Sequence, residues 1–300
     1  MGMKRLIHWA KLFFTPLALL FLGYFGWQSR EIFTALLIDA QLDRLILSAL
    51  LWMSLHFFAP VFTLIIFKSS ALSLNYKKIV LIHALRLPAK YLPGGIWHSA
   101  ARASDYHQQG LSTRYIGSYL LLENMVAAAV TLALGGLIVL QLPENGQPWF
   151  VQPLILTISS LASAAVILLP WLFDRFIFPS QHALPKPAYF SSIICLIAYW
   201  LLAATAFVSF LSAFKGLGLS VSYIEAGGIY IFSWGIGFIT LFAPQGIGVA
   251  EFISGQLLNA DISKSSFIAL LASFRLIIFI GDFLAWFIAV IISKFSNRHQ

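Results

Sequence analysis

The sequence is poor in charge and almost without cysteine. Asp, Glu, Lys and Arg together make up 10% of the 300 residues, against about a quarter in soluble domains, which excludes a water-soluble globular fold. The one cysteine, Cys195, lies in an apolar run, so no intrachain disulfide forms and no Cys/His zinc site is supported. Also absent are a Gly-rich phosphate loop leading into Lys-Ser/Thr, a His-Glu-x-x-His pair, a Gly-x-Ser-x-Gly elbow and the closely spaced aspartates of a metal-dependent transferase. Scattered Ser, His and Asp residues make no triad by themselves. Enzyme templates are therefore poorly met, and neither a cofactor nor a metal is expected.

What the sequence has is apolar length. Hydrophobic residues make up 60% of it and the mean hydropathy is +0.86. A membrane-crossing helix needs about 20 apolar residues, and windows of that kind occur at residues 12–29, 45–67, 145–173 and 187–214, with two more containing charge at 115–140 and 265–293. The expectation is an all-α polytopic membrane protein, one integral membrane domain over 1–300 with six full spans. The basic N-terminus followed by an apolar run resembles a signal peptide, but no small-x-small pattern follows Gly26-Trp27-Gln28, so it reads as a retained first span. The net charge of +8 sits mostly at the ends of spans, as topology signals do, which speaks against nucleic acid as a partner. By the positive-inside rule both termini are cytoplasmic.

Two stretches break the pattern. Residues 85–110 are cationic and contain Pro93-Gly94-Gly95, and Pro244-Gln245-Gly246-Ile247-Gly248 interrupts a later apolar run. Proline removes a backbone N–H and glycine relaxes φ, so a continuous helix is not expected through either. Interrupted backbone at membrane depth is tolerated where protein covers it or water reaches it. Each stretch therefore predicts a re-entrant or broken helix lining a cavity. An offset of 151 residues superposes Pro93 on Pro244, Gly95 on Gly246, Ile96 on Ile247 and Ser112 on Ser263. Three spans and one re-entrant segment per half make an odd number of crossings. The halves, about 1–142 and 149–300, are thus expected to form an inverted repeat, as in many transporters.

Ionisable groups inside a membrane are expensive and carry a functional hypothesis by default. Arg86 and Lys90 read either as anion ligands or as side chains reaching back to the headgroups. Arg102 reads as anion-facing, with His98 one turn earlier on the same helical face; His98 alone is more often a packing residue. Glu123, Arg275 and Asp282 lie well inside spans, and the last two share a helical face, which fits buried ion pairs as well as proton coupling. Glu251 either neutralises Arg275 or takes up a proton. Gly94, Gly95, Gly246 and Gly248 free backbone N–H groups at the helix starts after each break, a setting for phosphate, or simply allow close packing. Close packing also accounts for Ala127-Ala128-Ala129, Gly135-Gly136 and Ala203-Ala204.

Lys90-Tyr91-Leu92-Pro93-Gly94-Gly95-Ile96-Trp97-His98, with Arg102, Gly110-Leu111-Ser112 and Glu123, resembles the first signature of the lysylphosphatidylglycerol synthase transmembrane (flippase-like) family. Residues 244–251 resemble its second. The likeness runs over essentially the whole chain. It implies a multi-pass protein of the bacterial inner membrane that moves lipids between leaflets, or a related protein of envelope and polysaccharide assembly. Members often carry Arg directly after the glutamate of the third span, where this chain has Asn124. The sequence stops at Gln300 without the soluble aminoacyltransferase domain, so synthesis of aminoacyl lipids is not expected of it. On this reading an anionic lipid headgroup, of a phospholipid or a polyprenyl-phosphate carrier, is held by Arg86, Lys90, His98, Arg102 and the helix starts at the two breaks, while Glu123, Glu251, Arg275 and Asp282 balance charge or couple to protons. The alternatives are a non-transporting membrane partner of glycan- or lipid-synthesis enzymes and, behind it, a membrane-embedded glycosyl- or acyltransferase.

Overall fold

The computed structural model describes residues 40–69, 74–91, 96–142, 149–178, 184–218, 221–240, 246–258 and 263–296, together with the isolated positions 27, 30, 34 and 38. Among them there is helix and no strand. The chain runs through α1 (Leu42–Phe58), α2 (Pro60–Ser69), α3 (Tyr76–Leu85), a 3-10 turn (Leu87–Tyr91), α4 (Trp97–Gln108), α5 (Thr113–Val139), α6 (Val151–Phe176) and α7 (Lys186–Ser212). A second 3-10 turn (Lys215–Leu217) leads to α8 (Tyr223–Ile239), α9 (Val249–Leu257) and α10 (Lys264–Ser296).

Among the described residues five helices are long and apolar enough to cross a membrane: α1 with α2 as one run, α5, α6, α7 and α10. The protein is an all-α, multi-pass membrane protein. These five correspond to the spans expected from residue 45 onward, whereas the span expected at 12–29 lies outside the described residues. The first run is not one smooth helix. Pro60 cannot supply the N–H that the His56 carbonyl would accept, and α1 gives way to α2 there.

Both expected breaks end helices. α3 stops at Leu85 and α8 at Ile239, and short helices α4 and α9 follow. Pro93, Gly94, Gly95 and Pro244 lie outside the described residues. Gly246 and Gly248 have φ of +66° and +83°, left-handed values that strain any residue with a Cβ.

Local chemistry sets several helix starts. The Asn75 and Ser112 side chains accept from the backbone N–H groups of Lys78 and Tyr115, capping α3 and α5. Ser222 and Glu225 form a reciprocal capping box at α8.

Lipid gives helices no hydrophobic reason to associate, so close packing and polar contacts hold the bundle. α5 packs against α6 and α8, α7 against α1, α2 and α8, and α10 against α1, α3 and α9. Small residues make the closest approaches. A Cβ on Gly135 of α5 would come within 2.4 Å of the Phe232 backbone nitrogen on α8, and one on Gly136 within 1.8 Å of Ser159 Oγ on α6. Ser48 Oγ donates to the Ala206 carbonyl at 2.7 Å, tying α1 to α7. On the outer surface α6 exposes Leu154, Leu161, Ile167 and Leu168, and α10 exposes Leu276, Phe279, Phe283 and Phe287. That is an apolar coat suited to acyl chains.

Candidate functional site

Three polar centres meet around the first break, two of them buried. At its edge, Arg86 just past α3 makes a two-pronged ion pair with Asp105 on α4, at 2.7 and 2.8 Å. Arg86 thus clamps the two arms of the break together. The pair is largely exposed on the Arg86 side.

The second centre is Asp282 on α10, 1% exposed. Its Oδ1 accepts from Trp52 Nε1 at 3.0 Å and lies 2.7 Å from His56 Nε2, both on α1. Its Oδ2 accepts from Tyr91 OH at 2.7 Å and pairs with the Lys90 ammonium. Gly281 makes the approach possible, since a Cβ there would stand 2.9 Å from the Trp52 ring. A carboxylate partner requires His56 to carry its proton on Nε2. His56 Nδ1 lies 3.3 Å from His83 Nε2. His98 Nε2 donates to the His83 carbonyl at 3.3 Å, and the His83 and His98 rings meet edge to face at 5.1 Å. Three imidazoles from α1, α3 and α4 are thereby oriented in series from Asp282.

The third centre is Arg102 on α4, 4% exposed. Its Nη1 and Nη2 each donate to Glu123 of α5 at 2.9 Å, and Glu123 Oε1 also accepts from Tyr119 OH at 2.7 Å. Arg102, read from the sequence as anion-facing, thus has its charge matched by a carboxylate held in bidentate register. Arg102, Glu123, His83 and His98 line a cavity of about 240 Å³, bordered also by aromatic residues of α1, α2, α7 and α8, among them Phe62, Tyr199, Trp200 and Trp234. Asn124 also lines it, and its Nδ2 donates to the Leu120 carbonyl of its own helix.

At the second break Glu251, 6% exposed, accepts from the Gly248 N–H at 2.7 Å and from Arg275 Nε at 2.5 Å. The start of α9 is thus already capped by a carboxylate of its own chain, in place of the free phosphate cradle expected there. Arg275 and Asp282 share a face of α10, as expected, but engage different centres: Arg275 meets α9, whereas Asp282 meets α1 and the first 3-10 turn.

The two breaks carry the same device with the charges exchanged. After the first, a cation on the short helix meets a carboxylate 21 residues later on the next long helix. After the second, a carboxylate on the short helix meets a cation 24 residues later.

The structure thus brings Lys90 to Asp282, Arg102 to Glu123, Glu251 to Arg275, and His98 beside the cavity with Arg102. Arg86 is held by Asp105 at the rim. His56, His83, Tyr91, Trp52 and the Trp200–Trp234 wall were not singled out from the sequence. The signal for His56 was present, as a histidine in the middle of an otherwise uncharged span. His83 and the tryptophans give no such signal among apolar neighbours. Among the described residues no cluster of His, Cys, Asp and Glu is arranged to hold a metal ion. Compared with models of protein families and with curated proteins, the chain matches none.

Proposed function

We propose that the protein is a flippase-like transporter that moves an anionic lipid, or a lipid borne on a polyprenyl phosphate, between the leaflets of a bacterial inner membrane, in envelope or surface-glycan assembly. The observation that carries this reading is the cavity beside the first break, in which Arg102, Glu123, His83 and His98 face an aromatic wall inside a membrane bundle. Ionisable groups at that depth around a cavity are characteristic of substrate and ion pathways. The resemblance of residues 90–123 and 244–251 to the flippase-like family points the same way. The charge-exchanged pairs after the two breaks support an inverted-repeat relation between residues 1–142 and 149–300, whose rocking would open the cavity to each leaflet in turn.

In this mechanism the headgroup enters past the rim residues Arg86 and Lys90 and rests against Arg102 and His98. Glu123, Glu251, Arg275 and Asp282 keep the moving elements electrically neutral, and a proton can be exchanged at a carboxylate when its partner cation moves. The helix start at Gly246 and Gly248 contributes through its close packing, since a Cβ at Gly246 would lie 2.8 Å from Gly237 Cα.

The mutual satisfaction of the ion pairs favours a second reading, in which the protein is a non-transporting membrane partner of glycan- or lipid-synthesis enzymes and the charges serve structure alone. Transfer of fluorescent lipids between leaflets of proteoliposomes separates the two. Transport requires wild-type transfer, with strong loss in both Arg102→Ala and Glu251→Gln. Transfer that is absent from the wild type, or unaffected by either substitution, rejects the transport mechanism.

A further inference from the structure

A second cavity, of about 700 Å³, lies at the end of α7 opposite Lys186. Arg44, Leu47 and Leu51 line it from one face of α1, and Thr205, Val208 and Ser212 from one face of α7, in each helix at the three- and four-residue spacing of a shared face. From Arg44 to Leu51, and from Ser212 to Thr205, the walls descend seven residues, about 10 Å at 1.5 Å each. The descent starts at helix ends and passes on α1 from a charged side chain to apolar ones, so the space leads from the headgroup layer into the acyl-chain region. It also opens sideways into lipid, since Leu47 is 42% exposed and Thr205 is exposed.

The charge lining this cavity is of one sign. Among the described residues it comes from Arg44 and Lys215, and neither is held as Arg102 is by Glu123 or Arg275 by Glu251. Arg44 stands 3.8 Å from Asp43, its neighbour in the chain, with both side chains exposed, a contact worth little in water. Lys215 is exposed and, among the described residues, makes no ion pair or hydrogen bond. Gln41 lines the cavity too and gives α1 no side-chain cap, so the first N–H groups of that helix add a positive dipole end close to Arg44. Glu225 is engaged elsewhere, accepting from the Ser222 N–H at 2.6 Å to close the start of α8. Ser209 Oγ donates to the Arg44 carbonyl at 2.9 Å, which fixes the two walls to each other. The positive-inside rule assigns this end of α7 away from the cytoplasm, where cations do not serve as topology signals. Arg44 and Lys215 are thus left for another role.

We infer that this cavity binds an anionic glycerophospholipid of the leaflet at this end of α7, its phosphate held by Arg44 and Lys215 and one acyl chain lying along Leu47, Leu51 and Val208. A zwitterionic lipid would bring an ammonium against the same two cations. A free phosphate ester has the charge but no chain for the apolar wall. The volume falls within the ~300–1,000 Å³ of pockets that take a drug-sized ligand, enough for a headgroup and the upper part of a chain. The inference does not rest on lipid transport.

Ser212→Cys in a Cys195→Ala background places the sole thiol on the cavity wall, and its alkylation by N-ethylmaleimide is timed in phosphatidylcholine nanodiscs with increasing phosphatidylglycerol. Ile224→Cys, at a position 77% exposed near the start of α8 and outside the cavity lining, reports what membrane charge alone does to a thiol. Phosphatidylglycerol is expected to slow alkylation of Ser212→Cys saturably relative to Ile224→Cys, whereas phosphatidylethanolamine and soluble glycerol phosphate are not. Lys215→Gln should raise the phosphatidylglycerol fraction needed for half-protection about fivefold, the scale of one cation near a membrane surface, and Lys215→Arg should titrate like the parent. The inference is overturned by equal slowing at both thiols, by slowing as strong with phosphatidylethanolamine or glycerol phosphate, or by an unchanged Lys215→Gln titration. A Ser212→Cys thiol that does not react in phosphatidylcholine alone marks a cavity already covered and overturns it as well. Because no transfer is read, a protein that shows protection but moves no lipid fails only the transport reading, and one that moves lipid without protection fails only this inference.

Discussion

At the scale of single residues, Arg102 and Glu123 act as a unit. Removing the cation alone leaves a carboxylate facing a low-dielectric interior, a loss of about 3–5 kcal/mol in buried pairs, whereas replacing both partners by apolar side chains of similar size is often neutral. Arg102→Met is therefore expected to lower the thermal unfolding midpoint of the purified protein sharply. Arg102→Met combined with Glu123→Leu should recover most of that loss, as followed by size-exclusion stability after heating. A double variant no more stable than the single one would contradict the pairing. The two variants also part structure from function, because the recovered double variant still lacks the Arg102 donor. Asp282 differs in kind, since it gathers Trp52, His56, Tyr91 and Lys90 from two further elements and no single compensating change is available to it.

At the scale of elements, the bundle depends on backbone approach more than on side-chain volume. Gly117 and Gly135 both lie in α5, yet a Cβ at Gly117 meets nothing within 4 Å while one at Gly135 meets the backbone of α8 at 2.4 Å. Alanine at position 117 should be neutral or stabilise slightly, by up to about 1 kcal/mol from helix propensity. Alanine at position 135 must push α5 from α8, an overpacking cost of about 1–3 kcal/mol or more. Paired thermal melts of Gly117→Ala and Gly135→Ala check this, and equal midpoints would place the α5–α8 contact elsewhere. The breaks follow the same logic. Where α8 ends, the turn into α9 runs through left-handed Gly246 and Gly248, and Glu251 then closes the new helix start.

At the scale of the whole molecule, α7 is the clearest ruler. Its 27 residues rise about 40 Å at 1.5 Å each, more than the ~30 Å hydrocarbon core, so its ends lie on opposite sides of the membrane. Near its start, Asp174 of α6 pairs with Lys186. Near its end, the Gln41 N–H donates to the Ala213 carbonyl at 2.9 Å, which places the start of α1 there too. The positive-inside rule assigns the Lys186 end, with Arg175 nearby, to the cytoplasm. In a Cys195→Ala background, Lys215→Cys should react with a membrane-impermeant maleimide added to intact spheroplasts, and Lys186→Cys only after permeabilisation. The reverse pattern would invert the proposed orientation and, with it, the side from which the rim residues Arg86 and Lys90 are reached.

Composition and apolar run length were enough to determine that this is an all-α membrane protein, and to locate the five spans from residue 45 onward within a few residues, because a bilayer demands about twenty apolar residues per crossing wherever they sit. The same one-dimensional rules marked where helices stop, since Pro and Gly act on their own backbone. They also marked Arg102, Glu251 and Asp282, which are buried, but with them Arg86, which lies exposed at the edge of the break. What those charges do was decided only by the tertiary structure. Whether Arg102 faces an anion or Glu123, and whether Asp282 meets Arg275 or instead Lys90 and His56, depends on which helix faces which. That choice is made by backbone approach at glycines such as Gly135 and Gly281, a geometric property of two helices together that neither sequence segment contains alone. The cavity beside the first break is of the same kind. It exists only where α1 to α5, α7 and α8 converge.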